Sequence, residues 1–331
     1  MTFRSEGRRL VGLRDHAARL GWCLGFAWVL ASLSPGGAAA QSNATPSGSQ
    51  VKQRTFKTPE EASEALIAAA EQFDVTALKS ILGPDGADLV VTEDPVQDKN
   101  QSAAFAAEAR KQTRVVRDPK NKKVAILSVG VDEWPLPIPI VQKGSTWQFD
   151  SKAGRQEILY RRIGGNELDA IEVCRGYVEA QHEYASEKHE GSMVNQYAQR
   201  IISTPGKQDG LAWRAADGTW QGPVGEAIAK VIAEGYSDKA QPYHGYFFKV
   251  LTRQGPDAPL GEMDFVVKGV MIGGFALAAA PAEYAVTGVK TFIVGHDGVV
   301  YEKDLGPKTL DQFRAMDRYN PDTSWKPVEA P

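Results

Sequence analysis

Beyond residue 40 the chain carries four histidines, His182, His189, His244 and His296, and a single cysteine, Cys174. These are the residues whose chemistry has to be weighed first. His182 and His189 are seven apart, with Glu183 and Glu190 beside them. On one uninterrupted helical face such a set could ligate a metal. The helix would have to run to Gly191, and the second histidine of a zinc-protease HExxH is absent, so solvated helix charges account for them better. His244 alternates with Tyr246, Phe248 and Val250, which places it on the apolar face of a strand as a hydrogen-bonded, partly buried imidazole. His296 precedes Asp297 in a turn. A His244–His296–Asp297 cluster would supply a base and its orienting carboxylate only where the first and last strands meet. Cys174 lies on the apolar stripe of a helix, where a thiol packs rather than attacks. Residues 269–274 (GVMIGG) lack the lysine and spacing of a phosphate loop, and no G-x-S-x-G elbow occurs. No catalytic residue, metal or cofactor is assigned. What remains is a set of candidate binding residues: Trp213, Trp220, Tyr243, His244, Tyr246, His296 and Asp297. Trp and Tyr favour protein and glycan contacts, although they also staple long loops to a core.

The elements that must position these residues follow from periodicity. Asn166 reads as the cap of a helix to Ala185, after a hinge at Gly164-Gly165 and a helical stretch over 151–163. Leu168, Ile171, Cys174 and Val178 form its buried stripe. Residues 206–222 read as a long turn-rich loop holding both tryptophans, and 222–235 as a short helix. Strands are expected at Tyr243–Thr252, Met263–Lys268, Phe275–Ala280 and Lys290–Val294, the last turning through Gly295, Asp297 and Gly298 into Val299–Lys303. A helix over 309–317 and an extended tail anchored by Trp325 complete this half.

The first half opens with Thr58-Pro59-Glu60-Glu61, the signature of a capped helix start. Helices are expected from there through Phe73, over Val75–Leu82 up to Gly83-Pro84, and over Lys99–Lys111. Strands follow at Thr113–Arg117, Lys123–Val131, Leu136–Gln142 and Thr146–Asp150. Pro135, Pro137 and Pro139 make the third of these an edge strand. Asp88, Glu93, Asp94, Asp132 and Glu133 read as solvated surface. Helices followed by a meandering antiparallel sheet are an α+β pattern.

The amino-terminus has a different composition. Arg4, Arg8, Arg9, Arg14 and Arg19 lead into an uncharged apolar run, Leu20–Leu33, and then Ala38-Ala39-Ala40. This is the order of a secretory signal cleaved after Ala40, too short for a membrane span. Removing residues 1–40, which carry a net +3, takes the formal charge from −3 to −6. That balance excludes a basic nucleic-acid footprint. With Cys174 alone remaining, no internal disulfide can form, so the fold rests on its core.

Three resemblances bear on fold and function. The order of helices and strands, closing on Gly-Ser-Thr-Trp-Gln-Phe-Asp (144–150), resembles nuclear-transport-factor-2-like cones, in which the cone mouth often binds small molecules or partners. Asn-Glu-Leu-Asp-Ala-Ile (166–171), Ala180-Gln181, Tyr184-Ala185 and the strands after Pro242 resemble the soluble part of type IV pilin-like domains over roughly residues 165–306. The long apolar helix of pilins is missing here. The phrases at 203–213, 241–256, 271–294 and 296–306 resemble a bacterial exported family known only as a domain of unknown function.

The expectation is an α+β protein of two domains: signal peptide 1–40, flexible linker 41–54, a cone-like domain 55–163, a pilin-like domain 164–318 and a tail 319–331. It is exported to the periplasm or cell envelope, has no transmembrane span after cleavage, and works by binding an envelope protein. The alternative is a small-ligand-binding or hydrolytic protein using the N-terminal cone or the His244/His296 region.

Overall fold

A computed structural model describes residues 52–91, 95–224 and 242–329. The expected signal and most of the expected linker, Glu93, Asp94 and the expected 222–235 helix beyond Val224 lie outside the described residues. Among the described residues, no helix is long and apolar enough to cross a membrane. The fold is α+β, as the helix-then-strand order indicates. The chain divides into two compact units between Arg161 and Arg162.

In the first unit, α1 (Pro59–Glu71) begins where its local signals place it. Thr58 Oγ accepts from Glu61 N at 3.1 Å and Pro59 takes the first turn. The Glu61 carboxylate reaches the Lys57 N–H rather than that of Thr58, a displaced version of the reciprocal cap. α2 (Val75–Leu82) is capped by Asp74 and stops at Gly83, whose φ of +75° favours glycine. α3 (Pro95–Lys111) starts four residues before the expected Lys99. These helices cover a sheet of β1 (Thr113–Arg117), β2 (Val124–Val129), β3 (Trp134–Pro135), β4 (Ile140–Lys143) and β5 (Thr146–Phe149), in the order β1-β2-β4-β5 with β3 also on β2. The expected edge strand is therefore interior: the prolines end at Pro139, and Ile140–Lys143 has free N–H groups to pair on both sides. Alternate residues of β2, Ala125, Leu127 and Val129, are buried against Ile67, Ile81, Trp147 and Phe149.

α4 (Ser151–Tyr184) is one helix through Gly164 and Gly165, where a hinge was expected. Two helical glycines cost about 2 kcal/mol relative to alanine, but Asn166, the expected cap, is engaged elsewhere. Its Nδ2 donates to Thr287 O at 2.8 Å. Leu168, expected on the buried stripe, is 60% exposed, whereas Ala170, Ile171, Cys174, Tyr177, Gln181 and Tyr184 are buried.

The second unit adds β6 (Arg200–Ile202), β7 (Gly210–Arg214) and β8 (Trp220–Gln221), so the expected loop over 206–222 contains a hairpin turning at Asp217-Gly218. β6 and β7 run parallel. β9 (Tyr246–Leu251), β10 (Arg253–Gln254), β11 (Met263–Asp264), β12 (Val266–Val267), β13 (Val270–Met271), β14 (Ala276–Pro281), β15 (Lys290–Gly295), β16 (Val300–Asp304), α5 (Thr309–Ala315) and β17 (Lys326–Pro327) follow. The main antiparallel sheet is ordered β17-β16-β15-β14-β9. β14, ALAAAP, is buried along its whole length, as a central strand covered on both faces must be. The tail is not merely extended. It forms β17 on the sheet edge, with Trp325 buried and Lys303 over its ring. Lys249 Nζ donates to the carbonyls of Arg314 (2.9 Å) and Met316 (2.6 Å), neutralising the negative end of α5.

Candidate functional site

One concave feature described by the structure lies within the first unit. An apolar cavity of about 100 Å³ opens between α1, α2, α3 and the β3–β4 segment. Leu66, Ala70, Phe73, Leu78 and Leu82 form one wall, and Leu136, Pro137 and Ile138 another. α3 contributes Asp98, Gln101, Ser102 and Phe105, which at helical spacing share one face. Ser102 Oγ donates to Ala70 O at 2.9 Å, so the hydroxyl proton is committed and its lone pairs are not. The result is a greasy chamber with one polar stripe. Asp88, Asp132 and Glu133 lie elsewhere: Asp88 pairs with Arg155, and Glu133 with Arg114 at 3.0 Å. Reading the sequence for isolated carboxylates passed over this stripe. The signal was the spacing of 98, 101, 102 and 105.

In the second unit the candidate residues scatter. Tyr243 and Tyr246 exchange both backbone hydrogen bonds at 2.9 Å, and His244 and Gly245 between them have φ of +46° and +73°. This is a two-residue hairpin turn of the type with positive φ at both central positions. His244 therefore sits at a turn tip, not on the strand face its alternation suggested. Its Nδ1 pairs with Asp169 Oδ2 of α4, and its ring stacks on Tyr243 with centroids 4.2 Å apart. Burial raises the Tyr243 pKa, and the charges of Asp169 and Glu172 push it the same way. Tyr246 is fully buried and donates to Lys290 O at 2.8 Å, so it packs the core and presents no surface. Desolvation pushes its phenol far above the usual range.

His296 and Asp297 lie in the β15–β16 turn. Strand register puts Ala276 opposite both Gly295 and Leu251, while Tyr246 faces Pro281 at the other end. His244 and His296 are thus separated by the length of β9, on the order of 17 Å at about 3.3 Å per residue. The proposed His244–His296–Asp297 cluster does not exist. Asp297 instead accepts from Val299 N at 3.2 Å and lies 3.4 Å from the Tyr319 hydroxyl.

Trp220 is in β8 under the Arg214 guanidinium, 4.7 Å from its ring centre. Trp213, in β7, lies tilted against His189 at 5.9 Å. His189 is outside the helix, which ends at Tyr184. It is buried and stacked on the Tyr184 ring at 3.8 Å, so it shares no helical face with the exposed His182. Among the described residues no three His, Cys, Asp or Glu side chains are grouped to hold a metal. Cys174 is fully enclosed, and burial pushes its thiol up to about 12.

No curated protein and no solved structure matches the chain. The likeness to pilin-like and nuclear-transport-factor-2-like folds thus rests on sequence phrases and element order alone. Residues 53–328 match the family model described as Protein of unknown function (DUF2950), and with that span covered the chain belongs to this family.

Proposed function

We propose that this is an exported, non-enzymatic binding protein whose first unit holds a small, mostly apolar molecule carrying one polar atom. The cavity carries this reading: its walls are Leu, Ile, Phe and Ala, and its polar groups stand on a single helix face. Ligand sites have that character, apolar walls with a few placed polar groups that fix orientation. The volume sets the ligand's size. A dry apolar cavity of roughly 150 Å³ accepts benzene, so about 100 Å³ suits a smaller molecule such as a short branched chain. The polar atom would face Gln101 and Ser102. Export rests on residues 1–40, with their basic leader, apolar run and Ala38-Ala39-Ala40.

The test is a methyl-NMR titration of the purified protein with propane and with 2-propanol. Saturable shifts are expected at Leu78, Leu82 and Ile138, with none in the second unit. The Ala70→Leu variant, which fills the chamber, should abolish them while remaining folded. Absence of saturable shifts in the parent protein overturns the ligand reading. Fractionation of cells making the tagged full chain tests export separately. Recovery in the cytoplasm with residues 1–40 attached overturns that part.

A further inference from the structure

The three polar side chains of the first-unit cavity differ in what they can offer a bound molecule. Asp98 stands in the first turn of α3, lines the chamber and is 7% exposed. An ionised carboxylate only accepts hydrogen bonds, and its two oxygens have about four lone-pair sites, so the interactions Asp98 already makes do not exhaust it. Ser102 is also reduced to an acceptor. Its one hydroxyl proton goes to Ala70 O at 2.9 Å, and only oxygen lone pairs are left. Gln101 can turn either its amide N–H or its carbonyl oxygen inward. The other side chains of the lining are Leu, Ile, Val, Phe, Ala and Pro, so Asp98 carries the one formal charge among the described lining residues. Residues three and four apart on a helix are neighbours, with β-carbons roughly 5–6 Å apart. One atom seated over 98, 101 and 102 is therefore within reach of all three.

We propose that the ligand of this cavity is a small branched primary amine, bound as its ammonium; this rests on the reading of the chamber as a ligand site. An ammonium brings three N–H donors and no acceptor. The stripe needs that set: one donor each for Asp98, the Ser102 Oγ and the Gln101 carbonyl oxygen. Hydrogen bonds between a cation and a carboxylate are roughly twice as strong as neutral ones. The carboxylate also offsets the desolvation of the incoming cation, which a wholly apolar chamber does not. A ketone or ether of the same shape would set an acceptor against Asp98 and Ser102, leaving Gln101 as its one donor. A carboxylate ligand would meet like charge. The alkyl part would lie against Leu78, Leu82 and Ile138.

The experiment titrates the purified protein near neutral pH, where alkylamines are protonated, with isopropylamine, propane and acetone, followed by NMR of methyl and side-chain amide groups. Isopropylammonium is expected to bind at least about tenfold more tightly than propane or acetone. It should shift the Gln101 amide as well as the methyls of Leu78, Leu82 and Ile138. Asp98→Asn keeps the shape and removes the charge, and in it the preference for isopropylammonium over acetone should fall at least about tenfold. The ligand series on the parent protein decides the question by itself if that variant does not fold. Saturable binding of propane or acetone as tight as that of isopropylammonium overturns the ammonium assignment and leaves the chamber a ligand site. An undiminished preference in folded Asp98→Asn also overturns it. Absence of saturable shifts with all three compounds overturns the ligand site itself, and this inference with it.

Discussion

The side chain of Gln181 pairs with the backbone of Ala198 as a neighbouring strand would. Its Nε2 donates to Ala198 O at 2.8 Å and its Oε1 accepts from Ala198 N at 2.8 Å. The second amide proton goes to the Tyr177 hydroxyl, also at 2.8 Å. All three residues are buried. The glutamine thus fastens α4 to the segment leading into β6 with no polar atom left unmatched. Gln181→Leu leaves the Ala198 N–H and C=O buried without partners, at about 1–3 kcal/mol for each orphaned group. The variant should lose about 3 kcal/mol, read as a lower urea midpoint with an unchanged m-value. An unshifted midpoint would mean that water replaces the amide.

Gly288 lies over the Tyr246 hydroxyl. A β-carbon there would stand 2.2 Å from Tyr246 Oη, while that hydroxyl is committed to Lys290 O. Gly288→Ala should destabilise by about 2 kcal/mol, the usual range for overpacking. Tyr246→Phe should cost about 1 kcal/mol through its lost hydrogen bond. Together they should cost somewhat less than the sum, because the second change removes the nearest of the atoms that the first collides with, while ring Cζ at 2.7 Å and Cε2 at 2.8 Å remain. Chemical denaturation of all four proteins checks this. Strict additivity would show that the loop, not the hydroxyl, takes up the strain.

Asp209 links stability to pH. Burial favours its neutral form, but Thr204 Oγ (2.8 Å) and Thr204 N (2.7 Å) both donate to the carboxylate and Arg200 stands 3.7 Å away, so its pKa lies below the ordinary value. A depressed folded-state pKa stabilises above the unfolded value of about 3.9 and loses that contribution as pH falls through the folded value. Asp209→Asn should therefore be less stable than the parent near neutrality, with the gap narrowing as pH drops below about 4. Melting curves from pH 3 to 7 measure it. A gap constant with pH would assign the loss to hydrogen-bond geometry alone.

How much of this was legible depended on range. α1 and α2 were readable because Thr58, Pro59, Asp74 and Gly83 act on residues within one turn. The β15–β16 hairpin was readable from a turn rich in glycine. Tyr243 to Tyr246 misled because Tyr-His-Gly-Tyr alternates like a strand, yet the two central residues bend the chain back on itself. The Gly164-Gly165 pair misled in the opposite direction: a local breaker was outweighed by contacts such as that of Asn166 with Thr287, far off in sequence. Sheet order decided whether His244 and His296 met, and pairings of this range leave no periodic trace. The cavity stripe on α3 was readable, since 98, 101, 102 and 105 follow helical spacing, but only a reading that tolerated polar letters on an inward face would find it.

The enclosure of Cys174 has a practical consequence. A thiol with a pKa pushed up to about 12 and no solvent contact stays protonated at working pH and out of reach of maleimides. It is the single cysteine among the described residues. In a chain starting at residue 41, which leaves out Cys23, a cysteine introduced by Met193→Cys or Tyr160→Cys, both at exposed positions, would then be the addressable site in the folded protein. Fluorophores or spin labels could report on either unit with the native residue left in place.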